Sequence, residues 1–372
     1  MYGFKQVSLA LATAGLLVIG ISTPATAQSY KFTDLGTVGG SYSTATAINN
    51  AGQIAGWSAV TGDSAYHATL WNGTTATDLG TLGGSSGNSL ANGINSAGQI
   101  VGWSNVMNTA DYHATLWNGT VATDLGGGNS TATAINNAGQ VVGYSSSPST
   151  EGVHATLWNG SAATDLSVLR GSYSTASAIN DAGQIAGASY VTGYPDYYHA
   201  IVWNGAVATD LSGGSFSAGL AINNAGQIAG YAWTADNTTY HATLWNGTTA
   251  TDLGTLGGNR SVAFAINNAG QVVGYSTTLD NAKHATIWNG SSATNLHSFL
   301  DASTTSAGWQ LVDAYGINDS GAIVGSALNI FTGQSHAFAL TLAPVPEPET
   351  YAMMLAGLGL LVLVGQGRKA KL

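Results

Sequence analysis

The sequence predicts an all-β fold: a seven-bladed β-propeller of four-stranded antiparallel blades, with an N-terminal strand completing the last blade. Three observations predict it. An Ala-Ile-Asn-Asn-Ala-Gly-Gln block recurs seven times with small changes, marked by Ile48, Ile94, Ile135, Ile179, Ile222, Ile266 and Ile317, so a period of about 44 residues runs between the two ends. Each period holds four short β-rich segments bounded by turn residues, the repeat length and strand content of a propeller blade. A Thr-Asp-Leu block (once Thr-Asn-Leu) also occurs seven times, and its first copy, at Asp34, precedes every Ile-Asn block. The repeat region therefore starts with a fourth strand and stops after a third. Pairing those two closes a ring and removes an exposed strand edge. An open solenoid has no use for this offset and more naturally carries polar caps.

The first full unit shows the elements in order. Strands a, b, c and d are expected at 44–49, 53–58, 66–71 and 74–79. The a–b connection, Asn49-Asn50-Ala51-Gly52, reads as a type I turn followed by a glycine at positive φ, which makes a hairpin with a Gly bulge. Glycine stands there in all seven units, from Gly52 to Gly321. The c–d connection, Asn72-Gly73, reads as a two-residue hairpin turn and recurs through Asn289-Gly290. The b–c and d–a loops vary freely. In an up-and-down sheet they share one edge, so one face of the assembly is constant and the other variable. Small residues in strands a and b (Ala45, Ala47, Ala55, Gly56) suit the crowded inner strands near the axis.

Composition narrows the function. The chain has 372 residues, 51 of them glycine, and only 7% are charged. It contains no cysteine, which excludes disulfides, thiolate metal sites and cysteine nucleophiles. The repeat region carries four basic residues (Lys31, Arg170, Arg260, Lys283) against sixteen acidic ones. With no basic patch, nucleic acid is not an expected partner. No Gly-rich phosphate loop, HExxH or GxSxG motif is present.

Seven of the eight histidines stand at one place in strand c. A two-residue turn at Asn72-Gly73 would pair Trp71 with Thr74 and bring His67 directly opposite Asp78. The same spacing joins His113 to Asp124, His154 to Asp165, His199 to Asp210 and His241 to Asp252, while blade six has His284 and Asn295. A pair repeated in every blade reads as a structural staple, because catalysis needs one asymmetric constellation. One His and one Asp per blade are also too few ligands for a closed metal site, so neither a metal nor a cofactor is expected. His336 would meet Asp34 only across the ring closure. The periodic tryptophans, Trp71 through Trp288, read as packing between blades. The expected ligand rim is the variable face, with Tyr66, Tyr112, Tyr197, Tyr198, Trp233, Tyr240 and Trp309. Asp residues in its loops (Asp63, Asp111, Asp196, Asp236, Asp280) read first as ordinary polar loop residues, and alternatively as sugar or weak Ca²⁺ contacts. The longest departure from the repeat, residues 297–315, includes Asp301 and Asp313 and is where a unique site would be sought.

The two ends differ from the repeat. Residues 1–27 read as a signal peptide, with Lys5, an apolar stretch at 7–21, and Ala25-Thr26-Ala27 as the cleavage site. Residues 28–344 form the propeller domain. Residues 345–372 hold Pro346-Glu347-Pro348, a short apolar segment at 351–364 expected to form a transmembrane helix, and a basic tail, Arg368-Lys369-Ala370-Lys371. This tripartite layout resembles the PEP-CTERM sorting signal of Gram-negative bacteria that make exopolysaccharide. The resemblance implies export, transient anchoring in the inner membrane, and processing by an exosortase near Pro346, Glu347 and Pro348. The repeats also resemble the HAF family of extracellular repeats, although only His336-Ala337-Phe338 keeps the phenylalanine. That likeness implies surface localisation and no particular activity.

The expectation is thus an exported cell-surface or extracellular-matrix propeller, not an enzyme. It would act as a binding or structural module for polysaccharide or other surface proteins, in an exopolysaccharide or biofilm setting. The alternative is a secreted glycan-active lyase or hydrolase with its site on the variable face, which needs a unique carboxylate pair or a Tyr/His/Arg set.

Overall fold

In the computed structural model, residues 30–343 are described, apart from 85, 108, 110, 127, 147–151, 167–171, 192–196 and 212–215. Seven four-stranded antiparallel sheets form a closed propeller. The first blade is made of Ser43–Ile48, Gln53–Ala59, Tyr66–Asn72 and Thr75–Asp78, hydrogen-bonded in that order. The next five repeat it. In the seventh, Trp309–Ile317, Ile323–Asn329 and Ser335–Leu342 are completed by Tyr30–Asp34, which pairs antiparallel with Ser335–Leu342 from Tyr30↔Leu342 to Asp34↔Phe338. The expected closure by the N-terminal strand is present. The expected signal peptide, the Pro-Glu-Pro triplet and the expected C-terminal transmembrane segment lie outside the described residues. Among the described residues no helix is long and apolar enough to cross a membrane.

The a–b turn forms as read. Gly52 N–H donates to Asn49 O at 3.0 Å, Asn49 N–H donates to Gln53 O at 3.0 Å, and Gly52 has φ +80°. The c–d turn differs in register. Asn72 pairs with Thr75 and Trp71 with Ala76, so the central residues are Gly73 and Thr74. Gly73 has φ +60°, while neither Asn72 nor Thr74 has positive φ. This is the Gly-X pattern of a type II′ turn, where glycine takes the first central place. Asp78 therefore stands opposite Thr69, not His67. Strand alternation keeps His67 on the same face as Thr69, so histidine and aspartate meet on the diagonal.

Strand a also carries a bulge that the sequence reading did not anticipate, between Ala45 and Ala47 in the first blade and at the matching place in every other. Strand b supplies the reason for the glycine beside it. A Cβ on Gly56 would lie 2.0 Å from Thr44 O, and on Gly143 1.9 Å from Thr131 O. Only glycine lets the two inner strands approach this closely.

The core lies between blades. A typical cluster joins Ala55, Ala68 and Leu79 of the first blade to Ala91, Ile100 and Trp117 of the second. All six c-strand tryptophans are fully buried in such seams. Leu340 takes the tryptophan's place in the seventh blade. A buried serine crosses most of these seams. Ser89 Oγ accepts from Ala68 N–H of the preceding blade at 2.9 Å and donates to Gly80 O at 2.8 Å.

Candidate functional site

The two faces of the ring have different chemistry. On the constant face the repeated motif closes a hydrogen-bonded circle around the axis. Asn49 Nδ2 donates to Asn95 O, and so on from blade to blade, until Asn318 Nδ2 donates to Asn49 O at 3.1 Å. Each Asn Nδ2 also donates to the Gln of its own turn wherever that Gln is present, as Asn49 does to Gln53 Oε1 at 2.9 Å. An outer circle, complete but for the step from Asn50 to Ser96, joins the second motif residue of successive blades, where Asp181, Asp319 and Ser96 replace asparagine. Burial pushes both carboxyls up, but the Asn137 and Asn268 backbone N–H groups and adjacent asparagine amides outweigh it and hold them below the usual range. The circles surround an axial mouth of about 250 Å³. Its amides satisfy one another, so it is chiefly a clamp on the ring.

The His–Asp pairs fall on the outer part of the variable side. Nδ1 donates to the carboxylate at 2.8 Å in His67–Asp78, 2.9 Å in His113–Asp124, 2.6 Å in His154–Asp165, and 2.8 Å in His199–Asp210 and His241–Asp252. His336 reaches Asp34 at 3.0 Å across the closure. The other carboxylate oxygen ties down the exit of strand d, as where Asp78 Oδ1 accepts from Gly80 N–H at 2.8 Å. These groups hold loops in place.

The variable face gathers aromatic rings. Tyr66 packs between Trp57 (5.5 Å between centroids) and Trp103 (6.0 Å), and Trp103 packs on Tyr112 (5.6 Å). A longer set spans blades four to seven. Phe216 contacts Tyr197, Tyr198 and Trp233, and Trp233 contacts Tyr240. Hydroxyls link Tyr198 to Tyr231 at 2.6 Å and Tyr240 to Tyr275 at 3.0 Å. Phe264 then packs at a tilt between Tyr275 and Tyr315. Burial, then the neighbouring hydroxyl, pushes Tyr231 and Tyr275 far up, so both remain neutral donors. The rings are half-buried. The guanidinium of Arg260 stands 5.6 Å over Tyr240, beside an opening of about 310 Å³ lined by Asn259, Thr277 and Asn281.

Six of the seven expected rim residues thus fall into two ring sets. Trp309 is not among them, since it packs inside the seventh blade on Phe32 at 5.8 Å and His336 at 5.3 Å. Trp57, Trp103, Tyr231 and Tyr275 were missed. A signal existed, because an aromatic stands five residues after the turn glycine in five of seven units, the fifth being Tyr144. The loop acids brace loops: Asp63 ties its b–c loop to the preceding d–a loop, accepting from Ser41 N–H at 2.7 Å, and Asp236 and Asp280 accept from nearby threonines of their own loops. In the long insertion, Asp301 caps the helix Ala302–Ser306, accepting from Thr304 N–H at 2.7 Å. Asp313 is buried and paired with Lys283 Nζ at 2.6 Å, and that ammonium lies 4.2 Å from the centre of the Tyr275 ring.

Residues 344–369 match the model of the PEP-CTERM protein-sorting motif. The motif implies an exported protein, sorted via the membrane and processed by an exosortase. The match lies wholly outside the repeats. No curated protein matches the chain. Among solved structures, TolB from Acinetobacter baumannii is 12% identical with a TM-score of 0.45, over 77% of this chain and 63% of TolB, so the chain spans less than two thirds of that protein. The β-propeller domain of the Trilobed protease from Pyrococcus furiosus is 10% identical with a TM-score of 0.54, over 82% of this chain and 100% of that domain. This likeness is one of fold alone. That domain is described as having an open velcro topology, whereas here a strand from the N-terminal side closes the last blade.

Proposed function

We propose that the propeller is a saccharide-binding module of the cell exterior, exported through its C-terminal motif and held in an exopolysaccharide or biofilm matrix. The observation that carries this is the variable-face ring set from Tyr197 through Trp233 to Tyr240, with Arg260 above its end. Half-buried rings offer flat apolar faces for the C–H faces of a sugar, while Tyr hydroxyls, Asn259 and Asn281 offer hydrogen bonds to its hydroxyls. Exposed apolar loop tips on the same face, Met107, Leu279 and Phe331, give a protein partner a place to bind. The reading is of binding without turnover, because the insertion's acids serve as a helix cap and as the partner of Lys283.

A glycan array probed with the full chain, followed by titration of retained oligosaccharides with tryptophan fluorescence, tests it. Binding should weaken at least tenfold in Trp233→Ala and Tyr240→Ala and be unchanged in Asn50→Ala, on the opposite face. An array on which nothing is retained would sink the proposal.

A further inference from the structure

Blade six departs from the His–Asp rule in two ways at once. Its strand d ends in Asn295, so His284 has no carboxylate on its diagonal. The side-chain oxygen of Asn295 accepts from His297 N–H at 2.9 Å and caps the short 3₁₀ helix Leu296–Phe299. In the same place after strand d, other blades carry a glycine (Gly36, Gly80, Gly126, Gly254), and blade six carries His297, the one histidine outside the strand c motif. The two imidazoles lie side by side, with ring centroids 6.4 Å apart and planes at 43°. Neither ring has a hydrogen-bond partner among the described residues, and His297 Nδ1 is buried without one. In every other blade the matching imidazole is bonded to a carboxylate.

We propose that His284 and His297 form a two-imidazole site for a borderline divalent transition ion such as Zn²⁺, Ni²⁺ or Cu²⁺. Imidazole nitrogen is the natural ligand for these ions, at about 2.0–2.1 Å for zinc. Small rotations of the two side chains bring both rings onto one ion from their present spacing. The remaining positions would be filled by water, since no group of three His, Cys, Asp or Glu gathers among the described residues. The site is therefore open, and an ion held there has positions free for a ligand's oxygen atoms.

The test is calorimetric titration of the full chain with Ni²⁺, Zn²⁺ and Cu²⁺, joined to the electron paramagnetic resonance spectrum of the Cu²⁺ form. One equivalent should bind, with Cu²⁺ tightest, and the spectrum should carry splitting from two nitrogens. His284→Ala and His297→Ala should each weaken binding at least tenfold and reduce the splitting to one nitrogen. His113→Ala, which removes one ordinary His–Asp pair, should leave both readouts unchanged. Thermal unfolding of each variant, together with His284→Asn and His297→Asn, separates loss of a ligand from loss of the fold. No binding, several equal equivalents spread over the His–Asp pairs, or a one-nitrogen spectrum in the unaltered protein would overturn the proposal.

Discussion

Asn223 shows how much one side chain of the repeated motif does. Its amide donates to Gln227 Oε1 at 2.9 Å and to Asn267 O of the next blade at 3.2 Å, and its oxygen accepts from Ala225 and Gln227 N–H groups. It is 4% exposed. Asn223→Ala leaves several buried groups unpaired and should cost roughly 2–3 kcal/mol, read as a drop in the urea midpoint. The outer circle makes a pH claim. Asp181 and Asp319 have folded pKa values below the ordinary aspartate value, so each adds stability at neutral pH. That stability starts to fade as pH falls below about 4 and is gone once pH passes through the folded value. The Asp181→Asn, Asp319→Asn double variant should therefore show a flatter loss of stability between pH 5 and pH 2 than the unaltered chain. An unchanged acid profile would mean the two carboxylates contribute nothing through this route.

At the scale of the strand, structure is legible in the sequence where period and turn chemistry agree, and hidden where a one-residue choice of turn decides the register. Gly52 was legible because Asn-Asn-Ala-Gly leaves one sensible turn. Asn72-Gly73 was not, because glycine suits either of two hairpin types, and the choice moves Asp78 from His67 to Thr69. The His–Asp contact survived only because both registers keep the two residues on one face. The bulge was invisible for a different reason: it follows from the approach of strand b's glycine to strand a, a contact between strands that periodicity does not encode. The aromatic rim was half legible, since tyrosines before the histidine stand out, while those on strand b sit among ordinary strand residues. The glycines can be told apart by experiment. A Cβ on Gly143 would strike Thr131 O at 1.9 Å, so Gly143→Ala should destabilise by about 2 kcal/mol or more. Gly73→Ala meets no atom within 4 Å and carries only the strain of φ +60°, about 1 kcal/mol. Thermal unfolding of the two variants should keep that order, and the reverse would contradict the placement of the inner strands.

The whole molecule depends on one strand that arrives first in sequence and belongs last in space. Tyr30–Asp34 brings Tyr30 (7% exposed) into the core of the seventh blade and is followed by Leu35 (3%) in the seam with the first. Burying those two side chains alone is worth on the order of 3–6 kcal/mol. The His336–Asp34 pair then fastens positions 302 apart in the chain. Asparagine circles and the velcro strand are separate locks on the same ring, since the circles link every blade through strand a while the velcro acts at the outer edge. A chain lacking residues 30–35 should therefore keep its circles yet lose the cover on Ser335–Leu342. A bare strand edge of that length invites pairing with another copy. The truncated chain is expected to melt at lower temperature and to self-associate on size exclusion, and a peptide of residues 28–37 added in excess should reverse both effects. If it instead remains monomeric at an unchanged midpoint, the asparagine circles alone hold the propeller shut and the velcro strand contributes little to closure.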